Sequence, residues 1–411
     1  MRRIAFLTSF ESLNATLSIR KDFFKHLTKN FKKIYIIDID KLIYFPRLKT
    51  ISYFEKKRKD KINFPFPSNI KLIKPDNSKD FFNFAKKNKL LVKNNFNKSF
   101  FNLKIYFLLK KCNIPQIRID NLGGVGMPVN INIKNPIKFL NYQLLQNFSA
   151  KILLPVLTFF GFLLRGDIHF HSKRKELEKA KKSFLMGYLL KQKLSLSKEY
   201  KLINSRSYDA LLENKVKIEK KYIVHLDAEM NGRHEIETRG KLKLKDIKSH
   251  YHHLRIFLNK LSQDFNKPVV VCIHPNIKKK EVAKFIKSKM LKGFKVAQHK
   301  TRYYIYKSFL VTNFDTSAIV DAIILKKYII GLWSRYMDNN QIEHSKTYPC
   351  KAGYMRINFE NYKYDKTELK KLLNDNITKY SNFIKDYHCH KKGKSGLDQV
   401  INVIKKRYKC K

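Results

Sequence analysis

The chain has 411 residues, 43% of them hydrophobic, which is enough for two domains with full cores and excludes global disorder. Lys and Arg number 87 against 33 Asp and Glu, and the formal net charge of +54 favours an anionic partner such as a membrane surface, nucleic acid or a charged glycan. Five cysteines without framework spacing indicate reduced thiols and not a disulfide scaffold.

The chain opens with a β-α-β pattern. Residues 3–9 predict a strand, residues 17–31 have the apolar spacing of a helix, and residues 33–40 predict a second strand. This opening is typical of an open α/β sheet. Glu11 directly follows the first strand and is one candidate for a general base on the acceptor side of a cleft. The alternative is that Glu11 caps a helix.

The rest of the first half contains segments with more than one interpretation. Residues 105–109 are short and apolar, and residues 116–120 resemble another strand. The glycine cluster 123–126 does not have the spacing of a dinucleotide-binding fingerprint, so a plain turn or a close approach to a ligand explains it. The apolar run 152–164 is too short to cross a bilayer as a helix. It is either a buried helix or an interfacial segment whose basic flanks reach lipid headgroups.

A polar region near residues 195–220 interrupts the apolar pattern and predicts a domain boundary. We assign residues 1–205 to an N-terminal α/β domain. We assign residues 206–411 to a C-terminal α/β domain with terminal helices over 365–374 and 397–407.

Charged residues follow the first predicted strand of the second domain, residues 222–226. Asp227 is the second candidate for the base that deprotonates an acceptor hydroxyl. Arg233 is a candidate to stabilise the leaving phosphate of a donor. The alternative is that this loop is simply solvated.

Strands and helices then alternate at the spacing of βαβ units, which predicts a doubly wound parallel sheet. The predicted strands are 268–273, 294–297, 309–313 and 328–332, and the predicted helices are 278–291, 301–308 and 317–325. Such sheets bind ligands beyond the carboxyl ends of their strands.

Two motifs fall at those carboxyl ends. His274-Pro275 ends one predicted strand, and Asp315-Thr316-Ser317 joins another strand to a helix. Hydroxyls and the free amides of a helix N-terminus bind phosphate, and a nearby imidazole can stabilise a leaving nucleotide. Each motif alone is more often a turn or a helix cap. Together they predict one phosphate-binding floor.

This ordered set of motifs, with Asp321 in the following helix, resembles bacterial surface-polysaccharide transferases of the GT-B fold. The most similar group contains polysialyltransferases, capsule Kdo transferases and CDP-glycerol glycerophosphotransferases. The resemblance implies that His274, Thr316 and Ser317 bind the phosphate of a CMP- or CDP-linked donor. It also implies an α/β, GT-B-like fold, in which two Rossmann-type domains face each other across a cleft and C-terminal helices follow. Residues 1–205 would then be the acceptor-side Rossmann-like domain, and residues 206–411 the nucleotide-donor-binding Rossmann-like domain with the terminal helices.

The expected function is a glycosyltransferase or polyol-phosphate transferase of cell-surface polysaccharide biosynthesis. It moves a sugar from a nucleotide donor to a glycan or lipid-linked acceptor, and needs no metal or other cofactor. The alternatives are a UDP-sugar epimerase of the same fold and a non-catalytic basic protein that binds glycan or nucleic acid. Nucleic acid is the less favoured partner, since no named binding module appears. Without a signal peptide, we expect a cytoplasmic protein that either stays in solution or visits the inner membrane face.

Overall fold

The computed structural model describes residues 3–8, 21–39, 42, 68–93, 103–120, 157, 166–174, 197–214, 216–227, 247–273, 293–314, 316–337, 342–343 and 345–409. The chain forms two compact units. Unit 1 consists of Met1–Asn121, Ile137–Arg206 and His390–Lys411, and unit 2 consists of Leu122–Pro136 and Ser207–Cys389.

All strand pairs in both sheets are parallel. The strands are β1 Arg3–Thr8, β2 Ile34–Asp38, β3 Ile70–Ile73, β4 Leu90–Lys93, β5 Gln116–Asp120, β6 Gly166–His171, β7 Ser197–Leu202, β8 Tyr222–Leu226, β9 Val269–Cys272, β10 Lys295–Ala297, β11 Ser308–Asn313, β12 Tyr328–Trp333 and β13 Arg356–Asn358. The described helices are α1 Lys21–Asn30, α2 Ser78–Asn88, α3 Leu103–Lys111, α4 Arg206–Leu212, α5 Ile247–Phe265, α6 Thr301–Tyr306, α7 Ile319–Ile324, α8 Thr347–Ala352, α9 Lys366–Tyr387 and α10 Gly396–Tyr408.

Unit 1 is built on a seven-stranded sheet with the order β3-β2-β1-β4-β5-β6-β7. Its last helix completes the core. Val400, Ile401 and Ile404 of α10 are buried in the same cluster as Phe24 and Leu27 of α1. The predicted division at residue 205 placed this helix in the second domain. It belongs to unit 1 instead, because its apolar face is buried there.

Asn204, just after β7, holds the segment that leads into α10. Its side-chain Nδ2 donates to the carbonyls of Lys391 and Lys394, both at 2.6 Å. Its Oδ1 accepts from the backbone amides of His390, at 2.6 Å, and Lys391, at 3.0 Å. A Cβ on Gly396 would overlap the backbone carbonyl of Asn204, so only glycine fits this approach. The docking of α10 therefore depends on two small, buried contacts.

Unit 2 is built on a six-stranded sheet with the order β10-β9-β8-β11-β12-β13. Leu254 and Leu258 of α5 pack on one face. Ile305 of α6, Ile323 of α7 and Tyr380 of α9 pack on the other. Helices on both faces explain why the strands are continuously apolar in their interiors.

A buried lysine joins the segment before β8 to α6 and β11 within unit 2. The amine of Lys327 donates to the carbonyls of Glu219 at 2.7 Å, Tyr306 at 2.9 Å and Ser308 at 2.6 Å. Burial, with a smaller contribution from Lys220, lowers its pKa to about 8. The amine is therefore still mostly protonated at neutral pH and satisfies three carbonyls at once.

Two predicted elements differ from the structure. Residues 105–109 resemble a strand but lie in helix α3, where Ile105, Leu108 and Leu109 are buried at helical spacing and Phe107 is exposed. The predicted helix 365–374 extends to Tyr387 as α9, because buried residues continue at helical spacing along it.

No helix in the described ranges is long and apolar enough to cross a membrane. The glycine cluster 123–126 lies outside the described residues, as does the apolar run 152–164 apart from residue 157.

Candidate functional site

Polar side chains replace apolar ones at the carboxyl edge of the unit 2 sheet. Within the sheet, strands such as β9, with the sequence VVVC, are apolar and fully buried. At the edge, His225 is near the end of β8 and Asp227 directly follows this strand. Thr312 and Asn313 are the last two residues of β11. All four side chains are buried. Buried polar groups cost free energy unless they are hydrogen-bonded. Their concentration at one edge, where such sheets hold ligands, indicates a functional site.

His225 is a neutral imidazole within the sheet. It lies directly opposite Thr312 in the β8–β11 register, and its Nδ1 is 2.9 Å from Thr312 Oγ1. Its ring packs edge-on against Phe314, with the centroids 5.0 Å apart. Burial, reinforced by nearby His250, lowers the pKa of His225 to about 3. Its Nε2 has no hydrogen-bond partner among the described residues.

His250, in the first turn of α5, forms a second pair of the same kind. Its Nδ1 lies 2.9 Å from the hydroxyl of Ser334, which follows β12. Its ring contacts Phe314 and Phe359, at centroid distances of 5.1 and 5.2 Å. Burial, and then the nearby His253, lowers its pKa to about 3. Two uncharged imidazoles therefore flank the Phe314 ring on the α5 side of the sheet edge.

Asp227, a predicted general base, is the first residue after β8. Its backbone amide donates to the carbonyl of Cys272 at 3.0 Å, which joins the ends of β8 and β9. The hydroxyl of Tyr251 is 3.3 and 3.4 Å from the two carboxylate oxygens, and the residue is only 5% exposed. The Tyr251 hydroxyl therefore orients the carboxylate at the sheet edge, and a role of Asp227 as general base stays a prediction.

The turn after β11 carries the predicted hydroxyl pair. Thr316 Oγ1 accepts from the backbone amide of Ala318 at 3.3 Å, as expected of a capping side chain. Ser317 is exposed, and its hydroxyl has no partner within the described part of the chain. Helix α7 begins at Ile319 and not at Ser317, because the preceding turn closes with shorter i to i+3 backbone bonds. Asn313 is buried, and its Nδ2 lacks a partner among the same residues.

Asp321, the acidic position of the resemblance, lies in the first turn of α7. Its Oδ2 accepts from the guanidinium Nε of Arg302 in α6 at 2.8 Å. The neighbouring cation compensates the carboxylate charge, which otherwise would disfavour phosphate near this turn.

The other predicted site residues, Glu11, Arg233, His274, Pro275 and Asp315, lie outside the described residues. The strand before His274, β9, pairs with β8 up to the level of Leu226 and Cys272. The convergence of the His274 imidazole with the Thr316 and Ser317 hydroxyls on one anion stays a prediction.

Sequence reasoning did not select His225, His250 or Asn313 as site residues. Two of them carry a local signal, because His225 and Asn313 are polar residues near the carboxyl ends of otherwise apolar strands. His250 carries none, since only the packing of α5 over the sheet brings it to the same edge.

Two parallel α/β units of the Rossmann type, with a last helix that packs on the first unit, define a GT-B fold. No protein-family model matches the chain, and no curated protein matches it either.

The chain is similar to several solved structures. A variant of the wall teichoic acid polymerase TagF superimposes with a TM-score of 0.51 at 12% identity, covering 99% of this chain and 89% of that one. The UDP-GlcNAc 2-epimerase of Methanocaldococcus jannaschii, in complex with UDP-GlcNAc and UDP, gives 0.42 at 13% identity over 98% and 99% of the chains. MnaA of S. aureus, solved with UDP, gives 0.43 at 15% identity over 100% and 97%.

Proposed function

We propose that this chain is a glycosyltransferase or polyol-phosphate transferase of cell-surface polysaccharide assembly that uses a nucleotide-activated donor. The observation that carries the proposal is the polar carboxyl edge of the unit 2 sheet, made by His225, Asp227, Thr312 and Asn313. A fold alone is compatible with many reactions, so the proposal rests on this site and on the motif resemblance.

The donor phosphate is proposed to lie against the turn after β11. Ser317 offers an exposed hydroxyl there, and Thr316 offers a second one that is only partly buried. His274 is proposed to donate to the same phosphate and to stabilise the nucleotide as it leaves. These groups, with Pro275, Asp315 and Arg233 around them, form the proposed donor site, and the proposal includes no metal or cofactor.

The reaction requires a base for the acceptor hydroxyl. Asp227 is buried and already accepts from Tyr251, which supports a positioning role in unit 2. We therefore assign the base first to Glu11, which follows β1 in the sequence.

The acceptor is proposed to be an anionic glycan or a lipid-linked glycan. The formal charge of +54 supports an anionic partner, because it raises the local concentration of anions near the protein. A place in the cytoplasm, with visits to the inner membrane face, belongs to the same proposal.

A thermal-shift panel of nucleotides tests the donor site. CMP, CDP and UDP should raise the unfolding midpoint more than AMP and ADP do. His274→Ala and Ser317→Ala should reduce that rise. Ser381→Ala, which removes an exposed hydroxyl on α9, is the matched control and should leave the rise unchanged. A flat response across the whole panel contradicts the proposal.

Product analysis separates the alternatives. A transferase should convert the donor only when an acceptor glycan is present, whereas an epimerase should convert a UDP-sugar alone. Affinity for RNA or DNA that falls steeply with salt, together with indifference to free nucleotides, would identify a nucleic-acid-binding protein.

A further inference from the structure

An arginine projects from the carboxyl edge of the unit 2 sheet, held by a buried carboxylate. Glu360 accepts from the backbone amide of Arg335 at 2.6 Å, and its Oε2 lies 2.9 Å from the Arg335 Nε. The Glu360 side chain is 1% exposed, whereas that of Arg335 is 68% exposed. One end of the ion pair is therefore fixed inside the protein, and the other end faces solvent.

The side chain of Tyr336 contacts the guanidinium of Arg335 from a second side. It lies over the ring of Tyr336, 5.2 Å from the centroid, and its Nη2 donates to the Tyr336 hydroxyl at 3.2 Å. The Tyr336 ring is in turn 5.8 Å from the ring of His253 on α5. Nη2 donates to Tyr336, and Nε lies beside Glu360 Oε2 as an ion pair, although that oxygen makes no hydrogen bond among the described residues. Nη1 has no partner in the same part of the chain. The orientation of the arginine is set, but part of its donor fork is open.

Stability alone does not account for this arrangement. An exposed ion pair typically contributes about 0–1 kcal/mol. A buried carboxylate carries a desolvation cost that an apolar residue of similar size avoids. Glu360 therefore costs free energy to hold Arg335 in one pose, which is the pattern of a preorganised binding residue.

The position of Arg335 relates it to the proposed donor site. It is the second residue after β12, and Glu360 is the second residue after β13. β12 is the direct neighbour of β11, which leads into the turn with Thr316 and Ser317. The arginine and the hydroxyl pair therefore follow adjacent strands at the same edge of one sheet.

We infer that Arg335 binds a second anionic group of the donor, so that the donor is a nucleoside diphosphate derivative and not a nucleoside monophosphate sugar. This inference rests on the proposed function. The turn with Thr316 and Ser317 takes one phosphate, and the guanidinium fork, which matches the geometry of phosphate oxygens, takes the other. Tyr336 and Glu360 act as positioning residues, because they fix the fork without touching the phosphate themselves.

Isothermal titration of the full-length protein with CMP and with CDP tests the inference. The wild type should bind CDP about tenfold more tightly than CMP, since one well-placed charge-assisted contact contributes that much. Arg335→Gln should remove most of this preference and leave CMP affinity unchanged. Arg335→Lys keeps the positive charge but lacks the paired N–H donors of the guanidinium. It should retain only part of the preference for CDP over CMP. Glu360→Gln should also weaken CDP binding selectively.

Arg407→Gln is the matched control. Arg407 is an exposed arginine of unit 1 that pairs with Glu199. The variant therefore removes one positive charge from an ion pair, as Arg335→Gln does, but outside unit 2. It should leave both affinities unchanged. Urea unfolding without nucleotide checks that each variant is folded.

The outcomes are distinguishable. If CMP and CDP both bind and Arg335→Gln leaves their ratio unchanged, Arg335 is only an ion-pair residue and the inference is overturned while the proposed function stands. If neither nucleotide binds to the wild type, the proposed function fails first. An equal loss of CMP and CDP affinity in Arg335→Gln, but not in Arg335→Lys, also overturns the diphosphate assignment.

Discussion

Mild acid should destabilise unit 2 through its two buried histidines. In the folded protein, burial lowers the pKa of both His225 and His250 to about 3. In the unfolded chain a histidine has a pKa of about 6.5. Between these values the folded state binds fewer protons than the unfolded state. The stabilisation is therefore complete above pH 6.5 and is lost progressively as the pH falls towards 3.

The expected loss is large compared with the stability of a domain. Each pH unit below 6.5 removes about 1.4 kcal/mol per histidine. From pH 8 to pH 5, the two histidines together should therefore remove about 4 kcal/mol from the free energy of unfolding. A typical domain has about 5–15 kcal/mol in total.

The chain contains one tryptophan, Trp333, and it lies in β12 of unit 2. Its fluorescence can follow urea unfolding of this unit at both pH values. A double variant, His225→Asn with His250→Gln, keeps polar atoms near Thr312 and Ser334 but cannot titrate in this range. We expect it to be less stable throughout and to lose about 4 kcal/mol less than the wild type between the two pH values.

His252→Gln is the control, because this histidine is exposed on the same helix, α5. It should change the pH dependence little. The reasoning is wrong if the double variant and the wild type lose the same free energy on acidification, since the two imidazoles then titrate normally in the folded protein.

Three further substitutions probe the contacts of each unit. Asn204→Ala should lower the unfolding free energy of unit 1 by about 3 kcal/mol, because buried backbone groups lose their partners; unchanged urea stability would contradict this. Gly396→Ala should expose α10 to limited proteolysis, and a cleavage pattern like that of the wild type would refute the close approach. Lys327→Met should cost about 3 kcal/mol by Trp333 fluorescence, whereas exposed Lys370→Met should cost almost nothing; equal effects would exclude the three-carbonyl contact.

The strands could be predicted from the sequence because a buried parallel strand is a short, continuous apolar run. The predicted strands 268–273 and 328–332 overlap β9 and β12. Residues 105–109 resemble a strand but form a helix. A run of five apolar residues is too short to distinguish the strand period of 2 residues from the helix period of 3.6 residues. The helix predicted over 365–374 continues to Tyr387 as α9, and one of the buried positions past Asn374 is the polar Asn376, which weakens the apolar pattern there.

The site was predictable only in part, for a physical reason. Thr316 and Ser317 form a recognisable local motif, and strand ends of a parallel sheet share one edge. The partners of the buried polar groups are distant in sequence: His225 and Thr312 are 87 positions apart, and Arg335 and Glu360 are 25 apart. Such pairs depend on strand order and register, which the local pattern does not contain.

The docking of α10 makes unit 1 discontinuous along the chain. During synthesis, all of Ser207–Cys389 is made before the helix that covers Phe24 and Leu27 of α1. Until α10 is made, the apolar side chains that it covers, such as Phe24 and Leu27, stay without their packing partners. A truncation before α10 that spares unit 2 entirely would still uncover Phe24 and Leu27 and leave unit 1 open to aggregation and degradation.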